Sequence, residues 1–190
     1  MEAVVSAKKS GACLRVRMQK PSGWKLESGQ SIAVDGICST VVSKGATFFD
    51  VDYMPETLAK TTADTFGAGR MVNLERSLTL GSFIDGSLAL GHVDARGTVK
   101  KIDSEGETKK VTIDIPAELM RFVVPRGSIV VNGVSLTVVD TVENGFTVAL
   151  IPYTLAHTNL GSLEAGDTVN IETDLFARYV ARSIERLKGE

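Results

Sequence analysis

The chain has 190 residues, with 21 lysines and arginines against 23 aspartates and glutamates and a formal net charge of -2. With the two signs interspersed, it offers no basic footprint for nucleic acid or an anionic membrane surface. No apolar run approaches the roughly 20 residues of a membrane span, and Met1-Glu2-Ala3 lacks the apolar core of a signal peptide, which points to a soluble cytoplasmic protein.

Short apolar or alternating segments follow one another from the start: Ala3 to Val5, Leu14 to Met18, Ser31 to Val42, Thr47 to Tyr53 and Met71 to Glu75. Their β-branched content and the Gly, Asp, Asn and Ser turns between them predict antiparallel strands. Asp35-Gly36 falls where a hairpin turn is expected, since both residues tolerate positive φ. Pro55-Glu56-Thr57-Leu58-Ala59 reads as a one-turn helix opened by proline. After a glycine-punctuated junction at Gly81 to Asp94 the series resumes with Gly97 to Ile102, Val111 to Ile115, Ser128 to Val139, Gly145 to Ile151 and Thr168 to Glu172.

The second series repeats the first. Ser31 to Ser77 lies over Ser128 to Asp174 without a gap, pairing Gly36 with Gly133, Thr40 with Thr137, and Pro55, Thr57 and Leu58 with Pro152, Thr154 and Leu155. Val72-Asn73-x-Glu75 pairs in the same way with Val169-Asn170-x-Glu172. The fold class is therefore all-β: two tandem, similar six-stranded Greek-key barrels, closed to avoid exposed edges. The expected division is 1–88, 89–174 and a tail over 175–190. In that tail Phe176, Tyr179, Val180, Ile184 and Leu187 recur at helical spacing, giving an amphipathic helix that either packs on its own barrel or joins subunits. Small polar residues recur with the apolar pattern, at Thr40/Thr137, Thr57/Thr154 and Thr61/Thr158, which suits a duplicated ligand site better than a duplicated scaffold.

Few residues could carry chemistry. Cys38 and its repeat partner Ser135 are nucleophile-capable side chains at one equivalent position, although strand packing explains either alone; Ser135 lacks the second glycine of a nucleophile elbow. Cys13 and Cys38 show neither disulfide nor zinc spacing and are expected as free thiols. His92, at the junction, is the better acid-base candidate of the two histidines; His157, which pairs with Lys60, reads as surface. Asp174 replaces Ser77 of the first copy. Arg126 could meet an anion or a ring edge, and Gly67-Ala-Gly69 is a turn.

Taken together, Gly36-Ile-Cys38-Ser-Thr40, Met54-Pro-Glu56-Thr57-Leu58, Val72-Asn-Leu-Glu75-Arg76, Gly91-His92-Val-Asp94, Gly127-Ser-Ile-x-x-x-Gly133-Val-Ser135-Leu-Thr137, Ile151-Pro-x-Thr154-Leu155 and Val169-Asn-Ile-Glu172-x-Asp174 resemble riboflavin synthase of the two-barrel, alpha-chain type. The resemblance implies that two molecules of 6,7-dimethyl-8-ribityllumazine react, one donating a four-carbon unit to the other, without cofactor or metal. It implies a homotrimer joined by C-terminal helices, with each working site between the first barrel of one subunit and the second barrel of its neighbour. It also admits association with lumazine synthase, for which no residue here speaks. The catalytic residues carried over are Cys38, His92, Ser135 and Asp174. Substrate contacts would come from Ser39, Thr40, Asp52, Tyr53, Met54, Pro55, Glu56, Thr57, Gly91 and Val93 in the first barrel. The second would supply Arg126, Val134, Leu136, Thr137, Leu150, Ile151, Pro152, Tyr153 and Thr154.

The chain departs from the family pattern in three places. The usual Met-Phe-Thr-Gly opening, expected to cap the first-barrel pocket, is replaced by Met1-Glu2-Ala3, which lowers the turnover expected. The earlier histidine of a Gly-Gly-His pattern is Ser87, and the Asp before Gly133 is Asn132. The runner-up is a lumazine- or flavin-binding antenna protein without turnover. Flavin reductases, which share the barrel type, are disfavoured because there is no Arg-x-Tyr-Ser motif.

Overall fold

The computed structural model describes residues 1–84 and 86–188. The first barrel is built from β1 (Glu2–Ser10), β2 (Cys13–Gln19), β3 (Ser31–Val34), β4 (Ile37–Lys44), β5 (Phe48–Tyr53), β6 (Met71–Val72) and β7 (Leu74–Arg76), ordered β6-β1-β2-β5-β4-β3-β7. The second is a closed barrel of β8 (Ala95–Glu105), β9 (Thr108–Asp114), β10 (Ser128–Val131), β11 (Val134–Val142), β12 (Gly145–Leu150) and β13 (Thr168–Thr173), ordered β10-β11-β12-β9-β8-β13. The expected sixth strand of the first barrel is thus two pieces. β6 pairs with β1 as far as Glu2 opposite Val72, and beyond Asn73 the chain pairs only with β3. In the second barrel β8 continues to Ala95 opposite Ile171, so β13 stays whole.

Alternation along each strand fills two separate cores. Val16, Met18, Ile32, Val34, Val41, Phe49, Val51 and Tyr53 close the first, and Val111, Ile113, Ile129, Val131, Val138, Phe146 and Val148 the second. Phe49 and Phe146, equivalent in the repeat, are fully buried. The proline-opened turns form α1 (Pro55–Lys60) and α2 (Pro152–His157). Each runs into a 3₁₀ turn, Thr62–Thr65 or Asn159–Ser162, whose first N–H groups are capped by Thr61 or Thr158. Those threonines also donate to the carbonyls of Thr57 and Thr154, both at 2.7 Å. The recurrence of Thr61 and Thr158, expected to mark a ligand site, therefore serves the scaffold. A further 3₁₀ turn, Ala117–Phe122, precedes β10, and α3 (Leu175–Leu187) ends the fold. Of the tail expected over 175–190, Gly189 and Glu190 lie outside the described residues. Among the described residues no helix is long and apolar enough to cross a membrane.

The barrels meet at their β3–β4 and β10–β11 hairpins. Asp35 and Asn132 take positive φ (46° and 47°) as hairpin turns require, and Gly36 and Gly133 touch through their backbones. A Cβ on Gly36 would lie 2.6 Å from Gly133 N, and one on Gly133 2.8 Å from Gly36 N. Asparagines lace the seam reciprocally: Asn73 Nδ2 donates to Asn132 O, and Asn170 Nδ2 to Asp35 O, both at 2.9 Å. Asn73 Oδ1 accepts from the Asn159 N–H, and Asn170 Oδ1 from that of Thr62.

Asp35 brings a carboxylate into this seam. Its Oδ1 accepts from Asn73 N–H and Asn159 Nδ2, while Oδ2 is buried with no partner among the described residues. Burial pushes its carboxyl up from 3.8 to about 7, against the pull of those hydrogen bonds and of the Arg70 charge. The folded protein thus keeps a proton that the unfolded chain loses near 3.8. Stability should fall as pH rises from about 4 to about 7 and stay low above that. Asp35→Asn places the second copy's residue here and removes the ionisation. Thermal melts should show the variant more stable than the parent at pH 8, by on the order of 1 kcal/mol or more, with the gap closing toward pH 4. An equal gap at both pH values would mean that Asp35 does not titrate in this window.

Candidate functional site

Two residues beyond each touching glycine, the strands turn equivalent side chains outward. On β4 Cys38 and Thr40 are exposed while Ile37, Ser39 and Val41 point into the barrel; on β11 Ser135 and Thr137 are exposed and Val138 is buried. The starts of the short helices, Met54-Pro55-Glu56 and Ile151-Pro152-Tyr153, are exposed as well, with Thr57 and Thr154 half-buried, and Tyr153 shares a cleft with Ser135. Each barrel therefore repeats the same residue types, an exposed thiol or hydroxyl and threonine on one strand and an apolar side chain and half-buried threonine at a helix start, a set suited to a flat heterocycle with polar edges.

Several residues expected at these faces lie elsewhere. Tyr53 and Leu150 are each 1% exposed and belong to the cores. Ser39 points the same way, and its hydroxyl donates to Ile37 O and shares a 3.0 Å hydrogen bond with the Tyr53 hydroxyl. Strand alternation is the reason: next to an outward Cys38 or Thr40, Ser39 must face inward. Leu136 is half-buried and packs against the second core, whereas Val134, half-buried on the same core, also lines the cleft beside Ser135. Asp52 is held bidentately by Arg15, with contacts of 2.8 and 2.7 Å. Arg126 sits exposed at a positive-φ turn, where its N–H donates to Val138 O. Asp174 caps α3, accepting from the N–H groups of Phe176 and Ala177.

The linker meets the two faces differently, and at the first it forms a wall. The Cys38 N–H donates to Gly91 O at 2.8 Å, and the buried carboxylate of Glu172 accepts from Leu90 N–H (2.8 Å) and Gly91 N–H (3.0 Å). Gly91, at φ 77°, lies so close that a Cβ would come within 2.9 Å of Cys38 Cβ. Exposed His92 and half-buried Val93 follow. A cleft of about 240 Å³ opens between this wall and the seam, lined by Cys38, Gly91, Glu75, Phe83, Ile84 and Leu90 among others.

The second face meets different neighbours. Ser135 shares a 2.6 Å hydrogen bond with Ser87 of the linker, and its cleft also contains Met1, Glu75, Tyr153 and His157. The start of this chain, which lacks the opening expected to cap the first-barrel pocket, lies against the second. The antiparallel pairing of β1 with β6 puts Glu2 at the seam end of the first barrel, so Met1 points across. His157, read from the sequence as surface, is exposed but stacks on Tyr153 (ring centroids 4.0 Å apart) within this cleft. Glu75, the repeat partner of Glu172, faces both clefts, and desolvation raises its pKa. Both glutamates escaped the sequence reading as site residues, although the repeated Val-Asn-x-Glu motif carried them.

Paired barrels with paired open faces are the architecture of a duplicated small-ligand-binding domain. The chain belongs to the lumazine-binding domain family, whose model matches residues 1–77 and 90–174. It is 43% identical over 162 residues to riboflavin synthase of Brucella abortus, covering 83% of this chain and 80% of that protein. It is 42% identical over 160 residues to that of Mycobacterium bovis, covering 81% and 79%. Among solved structures it resembles LumP complexed with riboflavin, with TM-score 0.84 and 27% identity over 90% of this chain and 94% of that one. LumP complexed with 6,7-dimethyl-8-ribityllumazine follows at TM-score 0.81 and 26% identity, with the same coverage.

Gly91→Ala should lift the linker from β4, because the new methyl meets Cys38 and alanine is strained at this φ. Ligand affinity should drop at the first-barrel site alone, with little change at the second, as titration of a fluorescent lumazine would show. Equal loss at both sites would mean that the linker does not wall the first.

Proposed function

We propose that this protein is a riboflavin synthase, joining two molecules of 6,7-dimethyl-8-ribityllumazine by four-carbon transfer to give riboflavin and a ribitylamino-pyrimidinedione. The observation that carries this reading is the duplicated outward set, Cys38 and Thr40 on one barrel and Ser135 and Thr137 on the other. A reaction between two copies of one molecule needs two similar sites, and holding both partners in place recovers much of the entropy of a bimolecular encounter. The enzymatic relatives support the chemistry.

The residues divide the work. The Thr57 and Thr154 segments offer backbone and hydroxyl groups to the edges of the heterocycles. The reaction begins with loss of a proton from the acidic 7-methyl group of one lumazine, and His92 is the proton carrier placed beside Gly91 and Cys38. Cys38 polarises or transiently attacks the ring carbon of the acceptor; Ser135 positions the donor. Because the wall carrying His92 serves the first barrel only, the two faces are unequal, as donor and acceptor roles demand.

The α3 helix supports self-association into a trimer. Its inward side is tied down by Arg178 to Asp94 and by Glu185 to Arg121. The apolar stripe points away: Phe176, Tyr179 and Val180 are 64%, 67% and 57% exposed, with Ile184 and Leu187 beside them. Of the two expectations for this helix, packing on its own barrel finds no support in that orientation, and a stripe of this size is a surface for other copies. The alternative function, a lumazine or flavin carrier without turnover, draws on the likeness to LumP, which has been solved in complex with the lumazine and with riboflavin.

Incubation of purified protein with the lumazine decides between enzyme and carrier. Riboflavin should form, and both His92→Gln and Cys38→Ser should slow it about 10- to 1,000-fold, with smaller losses of binding. Tight binding of lumazine with no riboflavin would establish the carrier instead. Removal of residues after Asp174 should shift the mass in solution toward monomer and lower turnover. An unchanged mass would show that α3 does not join subunits.

A further inference from the structure

We propose that Arg178, in the first turn of α3, is a positioning residue for the linker segment that carries His92, acting through Asp94 and Glu172. The proposal deepens the function above and rests on it only for its kinetic consequence. The segment is held by two carboxylates. Before His92, both oxygens of Glu172 accept backbone N–H groups, those of Leu90 and Gly91. After it, Asp94 Oδ2 accepts from the Thr173 N–H and hydroxyl, both at 2.7 Å.

Arg178 stands between these anchors. Its Nη1 donates to Asp94 Oδ1 at 3.1 Å and its Nη2 lies 3.9 Å from Glu172 Oε1. The side chains of Glu172, Asp94 and Arg178 are 3%, 17% and 25% exposed, so water screens the trio little. The Nε and Nη2 atoms are buried and make no hydrogen bond among the described residues, so Glu172 meets the guanidinium through charge at 3.9 Å and Asp94 through a hydrogen bond.

Without the cation, two nearby carboxylates would sit in a poorly hydrated pocket, and removing one partner of such a group is costly. The cheapest relief is local: the linker lets go of Glu172, and the Gly91 O to Cys38 N–H bond goes with it. Arg178 lies on the tied-down side of α3, away from the apolar stripe. The seating of the helix is thereby transmitted to the wall of the first-barrel site by charge.

Amide hydrogen exchange tests this without reference to activity. In Arg178→Gln, exchange at Leu90, Gly91 and Cys38 should rise about tenfold or more, as for a locally opened segment. The β10–β12 amides and the mass in solution should stay as in the parent, and Arg178→Lys should restore most of the protection. If Arg178→Gln does not fold, Asp94→Asn, which keeps an acceptor for Thr173 but gives up the ion pair, should show the same local pattern. In turnover, kcat for riboflavin should fall about tenfold, with KM nearly unchanged. Unchanged exchange at the three amides overturns the proposal whatever the kinetics, and so does a rise spread through the whole barrel. Local exchange as expected in a protein that makes no riboflavin supports the positioning role and removes the enzyme reading instead.

Discussion

The arrangement of both faces depends on the contact between Gly36 and Gly133. Two hairpin tips meet backbone to backbone, at a separation that no side chain at either position could share. Apolar packing is not what binds the barrels there: each barrel keeps its own core, and the seam is laced by amide side chains of Asn73, Asn170, Asn132 and Asn159. Each such hydrogen bond adds only about 0.5–1.5 kcal/mol net, but leaving one of these buried amides unpaired would cost more. The network therefore acts mainly on orientation. Cys38 and Ser135, two residues past the glycines, inherit their places from it.

Within this near-symmetry the copies have parted where chemistry would require it. Asp35 of the first copy is Asn132 in the second, Thr62 is Asn159, and Cys38 is Ser135, all on a common backbone. The largest difference is not a substitution but the use of the linker, which gives Gly91 and His92 to one face and Ser87 to the other. Glu172 is enclosed and doubly hydrogen-bonded, whereas its counterpart Glu75 is left facing the clefts. One scaffold can thus hold two copies of a ligand in unequal surroundings.

The last helix inverts the usual arrangement of an amphipathic surface helix. Salt bridges from Arg178 and Glu185 hold it to the barrel, and its apolar residues face out. The exposed Arg121–Glu185 pair contributes little by itself, so the partly buried Arg178 pair does most to fix the helix in place. Such a helix is well suited to be completed by another chain, and its first turn reaches the linker that walls the first face.

The periods and turn residues determined most of the architecture by themselves. Alternating β-branched segments, Asp35-Gly36 and Asn132-Gly133, and the two proline-opened turns are local signals. The gapless repeat then required two like barrels, and the paired Cys38/Ser135 and Thr40/Thr137 positions appeared on the outer faces as that pattern demands. Tertiary structure alone decided what depends on which parts of the chain come together. Alternation sent Ser39, Tyr53 and Leu150 into the cores. The pairing of β1 with β6 aimed the chain start at the second barrel. The docking of the linker joined Glu172, Gly91 and Cys38, residues far apart in sequence. The sequence displays a motif of identical spacing in both copies, but whether its glutamate grips a backbone or faces a cleft is set by the neighbour that folding brings to it.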